Sequence, residues 1–157
     1  INGKWEIPIA GETFTLEANA DRIERHRNGE VSILDFKTGT PPGEQEVRVG
    51  LNPQLPLQAS IAAQGGFEGI KPSTTRELLY IQFGSKFDVR SIGQGNRQLE
   101  DKPVSEIIAE TEEGLKKLLT SFANPDHPYT SLPRPKRSKY PSAYARLARR
   151  SEWESDI

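Results

Sequence analysis

The stretch Ile33–Gly39, ILDFKTG, places a carboxylate and an ammonium two residues apart in an apolar run that ends in a glycine turn. Side chains of a strand repeat every two residues, so Asp35 and Lys37 share a face. On a strand surface such a pair is ordinarily a plain ion pair worth about 0–1 kcal/mol. A second carboxylate, Asp21, changes the chemistry if the preceding strand aims it at the same place. Two carboxylates about 4 Å apart, at an effective dielectric near 20, repel by roughly 4 kcal/mol. A lysine offsets part of that, and a divalent cation offsets more. Oxygen-only ligands favour a hard ion such as Mg²⁺, which keeps several waters and needs only one or two protein carboxylates. A lysine beside a water on such an ion can orient it and help supply hydroxide.

Whether Asp21 joins the pair depends on the turn between them. A two-residue Asn28-Gly29 turn would pair Arg27 with Glu30 and leave Asp21 on the opposite face. A three-residue loop, Arg27-Asn28-Gly29, pairs His26 with Glu30 and Asp21 with Asp35, with glycine in the left-handed position. The second register also gathers Ile23, Val31 and Ile33 on the face of Asp21, Asp35 and Lys37, and apolar pattern sets register. The sequence therefore predicts the odd loop.

The elements around this hairpin follow from pattern. Lys4–Ala10 and Glu12–Ala18 read as strands about Gly11, and Ala20–His26 and Glu30–Lys37 as the second pair. Gly39–Gly50 reads as loop, carrying Pro41, Pro42 and Gly43. Asn52–Gln64 reads as a helix capped by Asn52, with Pro53 in its first turn and Gly65-Gly66 as its stop. The run ELLYIQF, Glu77–Phe83, reads as a buried strand that Lys86–Ile92 pairs with. Pro103–Phe122 is a helix, with Val104, Ile107, Ile108, Thr111, Leu115, Leu118, Leu119 and Phe122 spaced for one face. Ala123–Lys139 reads as irregular, and Ser142–Trp153 as a short terminal helix. A mixed α/β domain follows from this order.

The chain of 157 residues suits one domain with its own core, although an apolar share of 34% is low and 12 prolines imply much irregular chain. Its 21 basic and 22 acidic residues nearly cancel, so bulk charge points to no partner. The distribution is uneven, because basic residues recur from Arg134 to Arg150 with no acid between. The lack of cysteine excludes disulfides, zinc–thiolate sites and iron–sulfur ligation within this chain. No apolar run is long enough to span a membrane and no signal-peptide pattern opens the chain. The absence of methionine, initiator included, predicts that this is a piece of a longer protein.

The ordered set ANADRIER, GEVSILDFKTGTPP and GLNPQLPLQAS resembles the PD-(D/E)XK nucleases of the RecB type. Within them it is most similar to the C-terminal nuclease domain of the AddB family of bacterial double-strand break repair proteins. PYTSLPRPK and YARLARRSEW near the end are similar to that family too, whereas Phe67–Phe122 adds little. The resemblance implies a restriction-endonuclease-like fold, a mixed β-sheet flanked by helices that opens at the active site. Asp21, Asp35 and the Phe36 carbonyl would bind Mg²⁺, with Mn²⁺ as a substitute, and Lys37 would activate the attacking water. Gln54 would be the motif glutamine of the following helix. Gln58 stands where the family carries a tyrosine, and with Arg22 and Thr38 it would contact DNA. The family's upstream helix with its further metal ligand does not precede Asp21, nor are its iron–sulfur cysteines present. Residues 1–137 would form the nuclease core and 138–157 a basic tail with a short helix.

Function would then be Mg²⁺-dependent exonuclease action on DNA within a cytoplasmic helicase–nuclease complex, beside an AddA-type subunit and away from membrane. The alternative is a catalytically incomplete nuclease fold that scaffolds a partner or guides DNA. An unrelated carboxylate hydrolase would need a second acidic pair, which the sequence lacks. His26 reads as a surface residue near the loop, His127 as part of a turn in NPDHPY, and Tyr144 and Trp153 as packing anchors.

Overall fold

A computed structural model describes residues 1–84, 87–96 and 98–128. The chain divides into two units, Ile1–Ala123 and Asn124–Ile157. In the second unit the described residues form a turn, in which the His127 amide donates to the Asn124 carbonyl at 3.0 Å. The anticipated terminal helix and basic tail lie outside the described residues.

The first unit is a mixed α/β domain of two sheets and three helices among the described residues. Strands β1 (Asn2–Ile9) and β2 (Glu12–Asn19) form an antiparallel hairpin of their own. Its Ala10-Gly11 turn has positive φ at both residues, 50° and 88°, the pattern of a two-residue turn matched to strand twist. The main sheet has the order β3 (Arg22–Arg25), β4 (Val31–Lys37), β5 (Thr75–Gln82), β6 (Asp88–Ser91). β3 and β6 run antiparallel to their neighbours, while β4 and β5 are parallel. A parallel pair needs a long crossover. Here that crossover holds helices α1 (Glu44–Arg48) and α2 (Gln54–Ala63), and α3 (Val104–Ala123) follows β6.

Helix α2 lies at the centre of the core. Leu55, Ala59, Ile61 and Ala62 are almost wholly buried, as are Val31, Ile33, Leu78 and Tyr80 of the sheet it covers. Burial of each Leu or Ile side chain contributes about 1.5–3 kcal/mol. The helix begins at Gln54 after Pro53, and Asn52 does not cap it. Pro56 is tolerated because amides of the first turn have no helical partner. After α2, Gly66 meets the first hairpin, and its carbonyl accepts from the Lys4 amide at 3.1 Å. A Cβ at Gly66 would overlap the Lys4 carbonyl, so only glycine fits.

One further expectation needs correction. The segment Gly39–Gly50, read as loop, contains α1. Its Glu44 accepts from Arg48 Nε at 2.7 Å and from the Gly93 amide at 2.9 Å, and Arg48 Nη1 donates to the Glu100 carbonyl at 2.8 Å. These long-range partners stabilise a helix too short to form alone. The helix read over Pro103–Phe122 is present as α3, Val104–Ala123. Only Ile107 and Thr111 are buried, whereas Leu118 and Phe122 are exposed. The far half of α3 runs along the first hairpin, where Lys116 Nζ lies 5.5 Å from the centroid of the Trp5 ring and Leu119, Phe122 and Ala123 line a cavity with Ile9, Ala10 and Phe14. No described helix is long and apolar enough to cross a membrane.

Candidate active site

The hairpin closes as its apolar pattern requires. The His26 amide donates to the Glu30 carbonyl at 2.8 Å and the Gly29 amide to the His26 carbonyl at 3.0 Å, so the loop has three residues. Gly29 takes φ 88°, a value costly for any residue with a Cβ. Arg22 pairs with Leu34, Ile23 with Ile33 and Arg25 with Val31. Continued one step, this register sets Asp21 opposite Asp35. Hydrogen-bonded and non-bonded pairs alternate in an antiparallel ladder, and side chains approach most closely in the non-bonded ones. Asp21–Asp35 falls in the non-bonded class. The next bonded partner of Phe36 would be Ala20, but the strand has ended, and Asp21 Oδ2 accepts the Phe36 amide instead at 2.9 Å. Asp21 thus uses one oxygen to finish the hairpin and keeps Oδ1 for another partner.

Asp35, Lys37 and Gln54 form a closed triangle. Lys37 Nζ lies 2.6 Å from Asp35 Oδ2. Gln54 Nε2 donates to Asp35 Oδ1 at 2.6 Å, and Lys37 Nζ donates to Gln54 Oε1 at 3.3 Å. Asp35 is only 2% exposed. The lysine approaches Oδ2 as a charge rather than along a hydrogen-bonding direction, and that oxygen has no hydrogen-bond donor. A buried carboxylate oxygen in this state is costly unless a positive group satisfies it.

Beneath the triangle lies Tyr80, which the parallel register pairs with Asp35. Its ring centroid is 5.8 Å from Lys37 Nζ. The phenol is fully buried, its hydroxyl has no hydrogen-bond partner, and burial together with the Asp35 charge pushes its pKa up to about 12. Sequence reading missed this residue. Its only signal was a tyrosine within an apolar strand, which ordinarily marks packing.

The donor set fits a hard divalent cation. Asp35 Oδ2 is a buried acceptor without a donor, and Asp21 and Gln54 add further oxygens on adjoining elements. No group of three or more His, Cys, Asp or Glu suited to a metal occurs among the described residues. Asp21 and Asp35 are the carboxylates offered on adjoining strands, and an ion that keeps several waters needs only one or two.

The remaining candidates lie further out. Phe36 projects its ring to the opposite face, 41% exposed, where it meets Phe83 at 5.7 Å between centroids. Arg22 shares that face through its pairing with Leu34 and is ion-paired with Glu24 at 2.8 Å. Thr38 is exposed just past the end of β4. Gln58 is buried, with Nε2 donating to the Asn19 carbonyl at 3.0 Å and Oε1 unpartnered. His26, expected at the surface, is half-buried, its Nε2 2.7 Å from Ser32 Oγ, which donates to Glu77 at 3.0 Å. It braces the loop end of the hairpin, away from the triangle.

The sequence model of the PD-(D/E)XK nuclease superfamily matches residues 3–138. An uncharacterized protein of Rickettsia typhi is 39% identical over 86 residues, covering 54% of this chain and 10% of its own length. An uncharacterized protein of Rickettsia felis is 34% identical over 109 residues, covering 69% of this chain and 11% of its own length. The chain thus spans about a tenth of the length of these curated relatives. The crystal structure of SSO0001 aligns at a TM-score of 0.40 with 14% identity, over 73% of this chain and 47% of that one.

Proposed function

We propose a specific role for a chain that belongs to the PD-(D/E)XK nuclease superfamily: it is the Mg²⁺-dependent nuclease domain of a longer DNA-processing protein. The superfamily hydrolyses phosphodiester bonds and generally uses divalent metals, Mn²⁺ serving in place of Mg²⁺. The observation that carries the reading is the triangle of Asp35, Lys37 and Gln54, with Asp21 set opposite Asp35 by the hairpin register. In this role Asp21 and Asp35 hold the cation, with the Phe36 carbonyl as a further ligand. Mg²⁺, when bound, would supply charge to stabilise the transition state and would lower the pKa of water. The Lys37 ammonium would donate to the oxygen of such a water and so orient it, and Gln54 holds Lys37 and Asp35 in mutual position. Thr38 is assigned to the DNA path, as is Gln58 on release from its Asn19 contact, whereas Arg22, on the opposite face and ion-paired with Glu24, is not.

The similarity to AddB C-terminal domains supports a parent that degrades DNA at double-strand breaks beside an AddA-type helicase–nuclease subunit in the cytoplasm. In this reading residues 1–137 are the nuclease core, and the basic segment 138–157 meets phosphate, an attraction that falls with salt. A second reading, a nuclease fold that guides DNA or scaffolds a partner without cleaving, is favoured by the small carboxylate set. The test is DNA degradation by the longer protein with Mg²⁺, comparing wild type with Lys37→Ala. Loss of hydrolysis with retained DNA binding supports the nuclease, and equal hydrolysis by both supports the scaffold.

A further inference from the structure

Lys37 has three neighbours of different kinds: the Asp35 carboxylate, the Gln54 side-chain carbonyl and the Tyr80 ring. Only the first is charged. If Asp35 serves a cation, its attraction for the ammonium is shared and a positive charge is added nearby. The neutral neighbours then decide where Lys37 rests. A π face attracts an ammonium within about 6 Å of its centroid, more strongly where water is excluded. Tyr80 meets that distance, and its ring is fully buried, so it cannot swing away with solvent.

Among the described residues the hydroxyl of Tyr80 has no hydrogen-bond partner, so the ring rather than the hydroxyl is what this residue presents to Lys37. The parallel register puts residue 80 beside Asp35 on the same face. We propose that Tyr80 is a positioning residue whose ring face retains the Lys37 ammonium when Asp35 engages metal. This rests on the nuclease reading above and adds a role that the motif residues do not describe.

The test uses three replacements: Tyr80→Phe, Tyr80→Leu, and pentafluorophenylalanine in place of Tyr80. The last keeps the shape of the ring but reverses its quadrupole, which guards against a leucine variant that fails to fold. Lysine labelled at Cε gives a readout independent of activity. In wild type and Tyr80→Phe the Lys37 Cε protons are expected to be shifted upfield by the ring, and in Tyr80→Leu they return to ordinary lysine values. In the longer protein with Mg²⁺, Tyr80→Phe is expected to keep kcat within about twofold, while the fluorinated ring lowers kcat about tenfold at unchanged KM for DNA. A fluorinated ring as active as phenylalanine overturns the proposal, as does an unshifted Lys37 in wild type. If wild type cleaves no DNA, the nuclease reading fails, and the Lys37 shift still reports whether the ring holds the ammonium.

Discussion

Gln54 and Asp35 are joined by a 2.6 Å hydrogen bond from Nε2 to Oδ1, which links the first turn of α2 to the end of β4. The bond occupies Oδ1 and leaves Oδ2, beside the Lys37 ammonium, without a hydrogen-bond donor among the described residues. Gln54→Ala removes a hydrogen bond to a buried carboxylate, an interaction of about 1.5–3 kcal/mol. Hydrolysis is expected to fall roughly ten- to a hundredfold, with a modest loss of urea stability. Gln54→Glu is expected to be worse, because it sets a second carboxylate against Asp35. Initial rates on a DNA substrate, with urea melts of each variant, check both.

Asp21 has two separable duties, and two substitutions part them. Asn at this position can still accept the Phe36 amide, so Asp21→Asn is expected to keep stability within about 0.5 kcal/mol while weakening cation binding. Asp21→Ala loses both and is expected to cost a further 1 kcal/mol or so in stability. Calorimetric Mg²⁺ titrations beside urea melts distinguish them. Equal metal affinity in wild type and Asp21→Asn would remove Asp21 from the ligand set.

Tyr80 gives the protein an alkaline signature. Its pKa is raised from 10.0 to about 12 by burial and by Asp35, so folding holds the proton that the unfolded chain releases. The associated stability is complete below pH 10 and is lost as pH rises towards 12, a difference of about 2–3 kcal/mol. Tyr80→Phe has no such group. The difference in urea stability between wild type and Tyr80→Phe is therefore expected to move against wild type over that interval. An unchanged difference would place the ring in water.

Gly66→Ala is expected to destabilise the domain on the order of 3 kcal/mol, since the new methyl meets the Lys4 carbonyl of the first hairpin. Gly29→Ala, with open space around the Cβ, is expected to cost less, about 1 kcal/mol from φ strain alone. Thermal melts of the two variants give the order.

Much of this site was legible because its determinants are local. Ile23, Val31 and Ile33 can share a face only through an odd loop, and the glycine at 29 permits one, so the register that sets Asp21 opposite Asp35 could be read before the fold. The aspartate–lysine spacing needed only the period of a strand. Tyr80 was not legible as a neighbour of Asp35, because the parallel pairing of β4 with β5 joins segments separated by two helices, and nothing in ELLYIQF marks its partner. Helix α1 was hidden for a similar reason. Its sequence follows two prolines and a glycine, and it is held by Gly93 and Glu100 far along the chain. The burial of Gln58 was hidden as well: helical spacing from Gln54 placed it near the site, while the packing of α2 against the first hairpin turned it to the Asn19 carbonyl.

The most direct measurement is metal binding and DNA hydrolysis in parallel for Lys37→Ala and Asp35→Ala, using the longer protein. Lys37 is assigned to the water and Asp35 to the cation, so the two losses should differ. Lys37→Ala is expected to bind Mg²⁺ at least as well as wild type, because the ammonium 2.6 Å from Asp35 Oδ2 is gone, while the rate falls by about 10²–10⁴. Asp35→Ala is expected to weaken Mg²⁺ binding, with activity partly restored at high Mg²⁺. Full hydrolysis by Lys37→Ala would contradict the account and leave the domain as a scaffold.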